Sequence, residues 1–162
     1  MTEKIQLSDF VKTEIDKWLT KFPEDQRQSG CLYALRMAQE ENGGWLTDAL
    51  MKAVAEYLGM PEAAVFEVAT FYNMYDLEPV GKHKINVCNS ISCNLCDSEK
   101  ILDYLQTKLN VKPGETTADN KFTLKVVECL AACRNAPVMQ IDKDYYENLN
   151  EDKIDQILAE IE

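Results

Sequence analysis

The chain has 162 residues, 28 of them acidic and 17 basic, for a formal net charge of −11. That length suits one ordinary domain or two small ones and suffices for a packed core, and the charge repels phosphate backbones, so nucleic acid is excluded as a partner and basic protein patches are favoured. No apolar run approaches the ~20 residues that span a bilayer, and Met1-Thr-Glu-Lys4 has the character of neither a signal nor a transit peptide, so the expectation is a soluble, cytosolic chain without membrane insertion.

Leu7, Phe10, Val11, Ile15, Trp18, Leu19 and Phe22 recur on one helical face, with Ser8 placed as N-cap and Pro23 just past the end, which predicts a first amphipathic helix. A second helix is expected over about 25–41 with Leu32, Leu35 and Ala38 inward, stopped by Asn42-Gly-Gly44 because glycine accepts the left-handed cap conformation. Cys31 falls in it and reads as a small buried hydrophobe. Thr47, followed by Asp48, caps a third helix ending at Leu58-Gly59, and Pro61 occupies the first position of a fourth. Residues 54–65 look superficially like a helix-turn-helix. The helix that would read DNA, however, is Pro61-Glu-Ala-Ala-Val-Phe-Glu-Val-Ala-Thr70, with two acids and no base, so it is read as a packing unit.

Thr70-Phe-Tyr-Asn-Met-Tyr75 is dense in aromatics and is read as core or as a packing surface between domains. Glu78-Pro-Val-Gly81 marks a boundary, which places a helical N-terminal domain over 1–80 and a mixed domain over 81–162. In the latter, His83-Lys-Ile-Asn-Val87 reads as a strand, and Ile101, Leu102, Leu105 and Leu109 form a helical stripe. Phe122-Thr-Leu-Lys-Val-Val127 is a second strand. Residues 137–142 and 144–148 are a third and a fourth around a turn at Lys143, and Asn150 caps a last helix with Ile154, Ile157, Leu158 and Ile161 inward. The order β-α-β-β-β-α suggests a thioredoxin-like α/β sandwich. His83, the one histidine, is expected to be a surface side chain.

Five of the six cysteines follow the two leading strands, as Cys88-Asn-Ser-Ile-Ser-Cys93-Asn-Leu-Cys96 and Cys129-Leu-Ala-Ala-Cys133. In a reducing compartment such clusters bind metals or act as redox thiols rather than form structural disulfides, and thiolates select zinc, copper(I) or iron-sulfur centres. Dithiol exchange through Cys93-Asn-Leu-Cys96 leaves Cys88, Cys129 and Cys133 without a role. Zinc accepts four thiolates but usually on two short knuckles. The spacing Cys88-x4-Cys93-x2-Cys96 matches the opening of plant-type ferredoxins and favours a [2Fe-2S] cluster, and a Rieske centre is excluded by the lone histidine. The six glycines form no GxGxxG, so no dinucleotide site is expected here.

Several stretches together carry a resemblance: Ala38-Gln-Glu-Glu-Asn-Gly-Gly-Trp45, Val54-Ala-Glu-Tyr-Leu-Gly59, Glu67-Val-Ala-Thr-Phe-Tyr72, Pro79-Val-Gly-Lys-His83 and the two cysteine patches. Over its whole length the chain resembles the E-subunit family of bacterial NADH:quinone oxidoreductase, respiratory complex I. The resemblance implies an α/β (α+β) protein, an N-terminal helical bundle followed by a thioredoxin-like ferredoxin domain, with one [2Fe-2S] cluster on Cys88, Cys93, Cys129 and Cys133. It replaces the plant-type assignment, because Cys96 lies at the start of the crossover helix in that family and is not a ligand; here it is expected to be a spare, buried thiol.

Such a cluster carries a formal charge of about −2, falling to about −3 on one-electron reduction. Backbone N–H groups near the sulfurs and a helix N-terminus around residues 94–97 are expected to offset it. The resemblance further implies an oxidoreductase subunit that is not catalytic alone. NADH and FMN would belong to the flavoprotein F subunit, the helical domain would dock, and the large iron-sulfur G subunit would be a second neighbour. Electrons would pass from reduced flavin to the cluster, off the main route to quinone, in a peripheral arm on the cytoplasmic face of the inner membrane. An equivalent subunit of an NAD-linked hydrogenase or formate dehydrogenase, and a zinc-stapled interaction module, are the alternatives.

Overall fold

A computed structural model describes residues 5–161 and divides the backbone into two compact units, Met1–Pro79 and Val80–Glu162. In the first unit, helix α1 (Asp9–Leu19) begins where the Ser8 side chain accepts the Val11 N–H, and it buries Val11 and Ile15. Phe10 and Leu32, both expected inward, are 63% and 41% exposed, because they sit at the edges of their helical stripes. The expected helix over 25–41 is divided. Glu24–Gly30 is a 3-10 segment kinked at Gln26, and only Cys31–Glu41 is α-helical (α2). It ends in a 6→1 turn in which the Gly44 N–H donates to Gln39 O.

Helix α3 (Asp48–Leu58) starts with Thr47 Oγ1 accepting the Leu50 N–H and stops at Gly59, whose φ of 70° is costly for a side-chain-bearing residue. Helix α4 (Glu62–Phe71) follows, with Pro61 one position earlier than expected, at the cap. Val11, Ile15, Leu35, Leu46, Met51, Val54 and Val65 fill the core between these helices. The buried Gln39 pins the chain beyond α4. It donates to Met74 O and accepts the Asp76 N–H, while the hydroxyl of the buried Tyr75 donates to Leu32 O at 2.7 Å. The aromatic stretch is therefore not simply core: Phe71 is 79% exposed and Met74 52%.

The second unit is a four-stranded sheet in the order β2-β1-β3-β4, formed by β1 (His83–Cys88), β2 (Phe122–Val127), β3 (Met139–Ile141) and β4 (Asp144–Tyr146). Strands β1 and β2 are parallel, and the other two pairings are antiparallel. The parallel pair is connected through a single helical turn, α5 (Ile91–Asn94), and the crossover helix α6 (Ser98–Leu109). Helix α7 (Glu151–Glu160) closes the unit, its Asn150 cap accepting the Lys153 N–H. It lies beside α6, with Tyr104 and Lys108 both bound to Asp155. Ile85, Val87, Leu105, Leu124, Met139 and Ile154 form the core.

Gly81 sets the start of β1: a Cβ there would lie 3.0 Å from the Phe122 backbone, and its N–H donates to Thr123 Oγ1. His83 is not a surface side chain. It is half-buried, its Nδ1 2.7 Å from Asp142 Oδ2, so it ties the start of β1 to the turn between β3 and β4.

Candidate metal centre

Because β1 and β2 run parallel in the register Cys88↔Val127, their C-terminal ends leave one edge of the sheet side by side, and both cysteine patches begin there. The ladder continues one step beyond the strands, with the Asn89 N–H donating to Val127 O at 2.8 Å. This edge, at the carboxyl ends of adjacent parallel strands, is where open α/β sheets place their ligands.

Cys88 ends β1 and is 1% exposed, its N–H donating to Val138 O at 3.1 Å. Helix α5 then turns Cys93 back under it, also 1% exposed, so the two thiols pack with Val138 and against Leu130, Ala132 and Ala136. Burial pushes the Cys93 thiol up to about 11, a hydrogen bond with Cys88 and the nearby Cys88 and Cys133 sulfurs add to it, and the Val138 amide pulls the other way. Bare thiolates crowded out of water in this way repel one another. Protons relieve that repulsion, and so does a bound metal cation that displaces them.

Cys129 and Cys133 form the second pair, both exposed, with sulfurs 3.7 Å apart. Two thiolates on one tetrahedral metal, at bonds of about 2.3 Å, stand about 3.8 Å apart, so this pair already has the separation that a shared metal requires. The loop achieves it at Ala131, whose φ of 61° is left-handed for a residue with a Cβ, and that turn aims the Ala131 N–H at Cys129 Sγ, 3.3 Å away. The thiols are thus grouped by twos. Among the described residues no three Cys, His, Asp or Glu side chains close to metal-binding spacing. Four soft donors in two pairs, one buried and one exposed, suit a thiolate-bound binuclear cluster.

Cys96, expected to be buried, is exposed. It lies in the turn between α5 and α6, where Asp97 takes a φ of 66° and ends the register that would have carried Cys96 inward with Cys93. Cys31 is buried, as expected. Helix α6 begins only at Ser98, so α5 is the helical element that carries a site cysteine. The sulfur-facing amides of Ala131 and Val138 were not legible in the sequence, since neither residue type signals a donor. Nor was the exposure of Ile91 and Leu95, which flank Cys93 and are 75% and 83% exposed.

A family model described as thioredoxin-like [2Fe-2S] ferredoxin matches residues 15–162. The E subunit of NADH-quinone oxidoreductase from Rickettsia typhi is 46% identical over 142 residues, covering 88% of this chain and 84% of its own length. Its namesake from Rickettsia conorii is 43% identical over 165 residues, covering 100% and 99%. An E subunit of the same enzyme from Rhizobium meliloti is 41% identical over 148 residues, covering 91% and 86%. Among solved structures, an NAD+-reducing [NiFe]-hydrogenase in the H2-reduced state has a similar fold, with a TM-score of 0.70 at 20% identity, over 82% of this chain and 22% of that one.

Proposed function

The chain belongs to the thioredoxin-like [2Fe-2S] ferredoxin family, and from that membership we propose that it is the electron-carrying E subunit of an NADH:quinone oxidoreductase, holding one [2Fe-2S] cluster on Cys88, Cys93, Cys129 and Cys133. The observation that carries this reading is the pair of dithiols at the ends of two adjacent parallel strands, one with its sulfurs 3.7 Å apart. A bound cluster of this kind supplies one-electron chemistry, exchanging single electrons with FMN held by the neighbouring flavoprotein F subunit.

The chain's own residues tune and shelter that chemistry. Val138 and Ala131 direct backbone amides at Cys93 and Cys129, which offsets negative charge on the sulfurs. Cys88 and Cys93 are kept dry, whereas Cys129 and Cys133 open to the surface, where an electron can enter or leave. NADH and FMN stay with the F subunit, and the G subunit is a further neighbour. The helical domain 1–80 docks, the ferredoxin domain 81–162 carries the cluster, and the complex places both in a peripheral arm on the cytoplasmic face of the membrane. Among the described residues no helix is long and apolar enough to cross one. Membership in the assembly of an NAD-linked hydrogenase is the lesser reading, since the likeness to the hydrogenase structure is one of fold, whereas the relatives over 40% identical are named as E subunits of NADH-quinone oxidoreductase.

The purified chain, loaded with iron and sulfide, is expected to be red-brown, to show a reduced-state EPR signal with dithionite, and to oxidise no NADH. Adding the F subunit should let NADH produce the same signal. A colourless zinc protein, or NADH turnover by the chain alone, would defeat this reading.

A further inference from the structure

Leu95, Phe71 and Ile91 are the three most exposed large apolar side chains among the described residues, at 83%, 79% and 75%. Two of these three lie within two residues of Cys93. Ile91 and Leu95 are spaced i, i+4 on the single turn that turns Cys93 inward, so they point outward together from the wall of the dithiol site. On the other side of that wall, Leu130 and Ala132 from the second cysteine loop pack against Cys88 and Cys93, so both cysteine loops bring apolar side chains to the site. Isolated surface leucines need no explanation, but two of the most exposed apolar side chains joined to a redox site in a chain of net charge −11 mark a contact face.

The edge of this face has its own chemistry. Cys96, next to Leu95, opens a groove of about 430 Å³ lined also by Asp97, Lys100, Glu151 and Asp152. Lys100 is paired with Asp97 at 2.8 Å, which leaves the carboxylates of Glu151 and Asp152 as the groove's net charge. An apolar centre with an acidic margin is complementary to an apolar patch edged by Lys and Arg.

We propose that Ile91 and Leu95 form the anchor of the electron-exchange interface, covered in the working complex by an apolar patch with a basic margin on the flavin-bearing subunit. This rests on the proposed function above. It adds the face through which this chain meets its electron partner and makes Ile91 and Leu95 binding residues.

The test uses the full cluster-loaded chain and the F subunit flavoprotein. Both side chains are exposed, so the double variant Ile91→Glu/Leu95→Glu should keep its iron content and dithionite-reduced EPR spectrum. Its Kd for the flavoprotein should rise at least tenfold, and the NADH-driven rate of cluster reduction should fall with it. Ile91→Val/Leu95→Met should stay within twofold of the original chain, and Glu151→Gln/Asp152→Asn should flatten the dependence of association rate on salt. An unchanged Kd for the Glu double variant overturns the inference while leaving the proposed function intact. An original chain that never binds the flavoprotein overturns both. A self-association of the original chain that the double variant abolishes, with flavoprotein affinity unchanged, assigns the face to a second copy and overturns the inference as well.

Discussion

The sulfurs of Cys129 and Cys133 stand 3.7 Å apart across a loop whose middle residue, Ala131, is left-handed. The strain at Ala131 and the spacing of the two thiols are one feature, because the turn that aims the Ala131 N–H at Cys129 also folds Cys133 back beside it.

Removing a thiol from this pair should therefore differ from removing the neighbouring spare one. Cys133→Ser replaces a soft donor with a hydroxyl that deprotonates much less readily, and is expected to lose most of the iron or to shift the reduced-state EPR signal strongly. Cys96→Ser, at an exposed position outside both pairs, should leave iron content and spectrum unchanged. Iron analysis and EPR on the two purified variants decide it, and a bleached Cys96→Ser beside an intact Cys133→Ser would replace the ligand set.

At Ala131 itself, the left-handed backbone costs a residue with a Cβ about 1–2 kcal/mol. Ala131→Gly relieves that strain but gives the unfolded chain more freedom, so stability should change by less than about 1 kcal/mol. Ala131→Val adds β-branching at the same φ and should lose at least about 1 kcal/mol. Chemical denaturation of the two variants would show the difference, and equal midpoints would remove strain from the account of this loop.

Gly81 is expected to tolerate no side chain. An added Cβ meets the backbone of Phe122, Lys121 and Asn120 at 3.0–3.1 Å, and none of these atoms can swing away. Forcing β1 and β2 apart at their start should cost about 1–3 kcal/mol, read as a Tm several degrees lower for Gly81→Ala. A variant as stable as the original chain would show that the strand start yields.

Cys31 predicts a loss of stability in alkali. Burial pushes its thiol up from an ordinary value of 9.0 to about 11, so the folded state holds the proton more tightly than the unfolded one. The stabilisation is complete below pH 9 and is lost as pH rises towards 11. The buried Cys93 thiol, pushed up to about 11 as well, adds a slope of its own over the same range, and the buried Tyr75 hydroxyl, also pushed up, adds one above pH 10, so the share of Cys31 is read over pH 9–10 as the difference between the original chain and a chain without that thiol. Urea midpoints across that window should fall for the original chain and less steeply for Cys31→Ala; parallel slopes would assign the effect elsewhere.

Phe71 and Met74, 79% and 52% exposed beside the pinned Tyr75, are expected to serve docking of the helical unit. Phe71→Ala/Met74→Ala should leave the cluster spectrum unchanged and weaken capture of the complex's other subunits. Full retention in a pull-down would remove Phe71 and Met74 from the docking surface.

Local chemistry determined the elements of this protein. Ser8, Thr47 and Asn150 each cap the helix that follows by accepting an N–H three residues on, which depends only on neighbours in the chain. Strands β1 and β2 were legible for the same reason, as β-branched and alternating runs that lead into the two cysteine patches. The 3-10 kink at Gln26 and the outward turn of Phe10 and Leu32 were not legible, because helical spacing defines a stripe and packing decides which edge of it is covered. The cysteines show the limit most plainly. Cys93 and Cys96 are chemically alike and three residues apart, and periodicity alone cannot separate them. Cys93 is buried and Cys96 exposed because α5 is only one turn long and Asp97 turns left-handed after it, a choice made by how that turn packs against Val138 and the second cysteine loop.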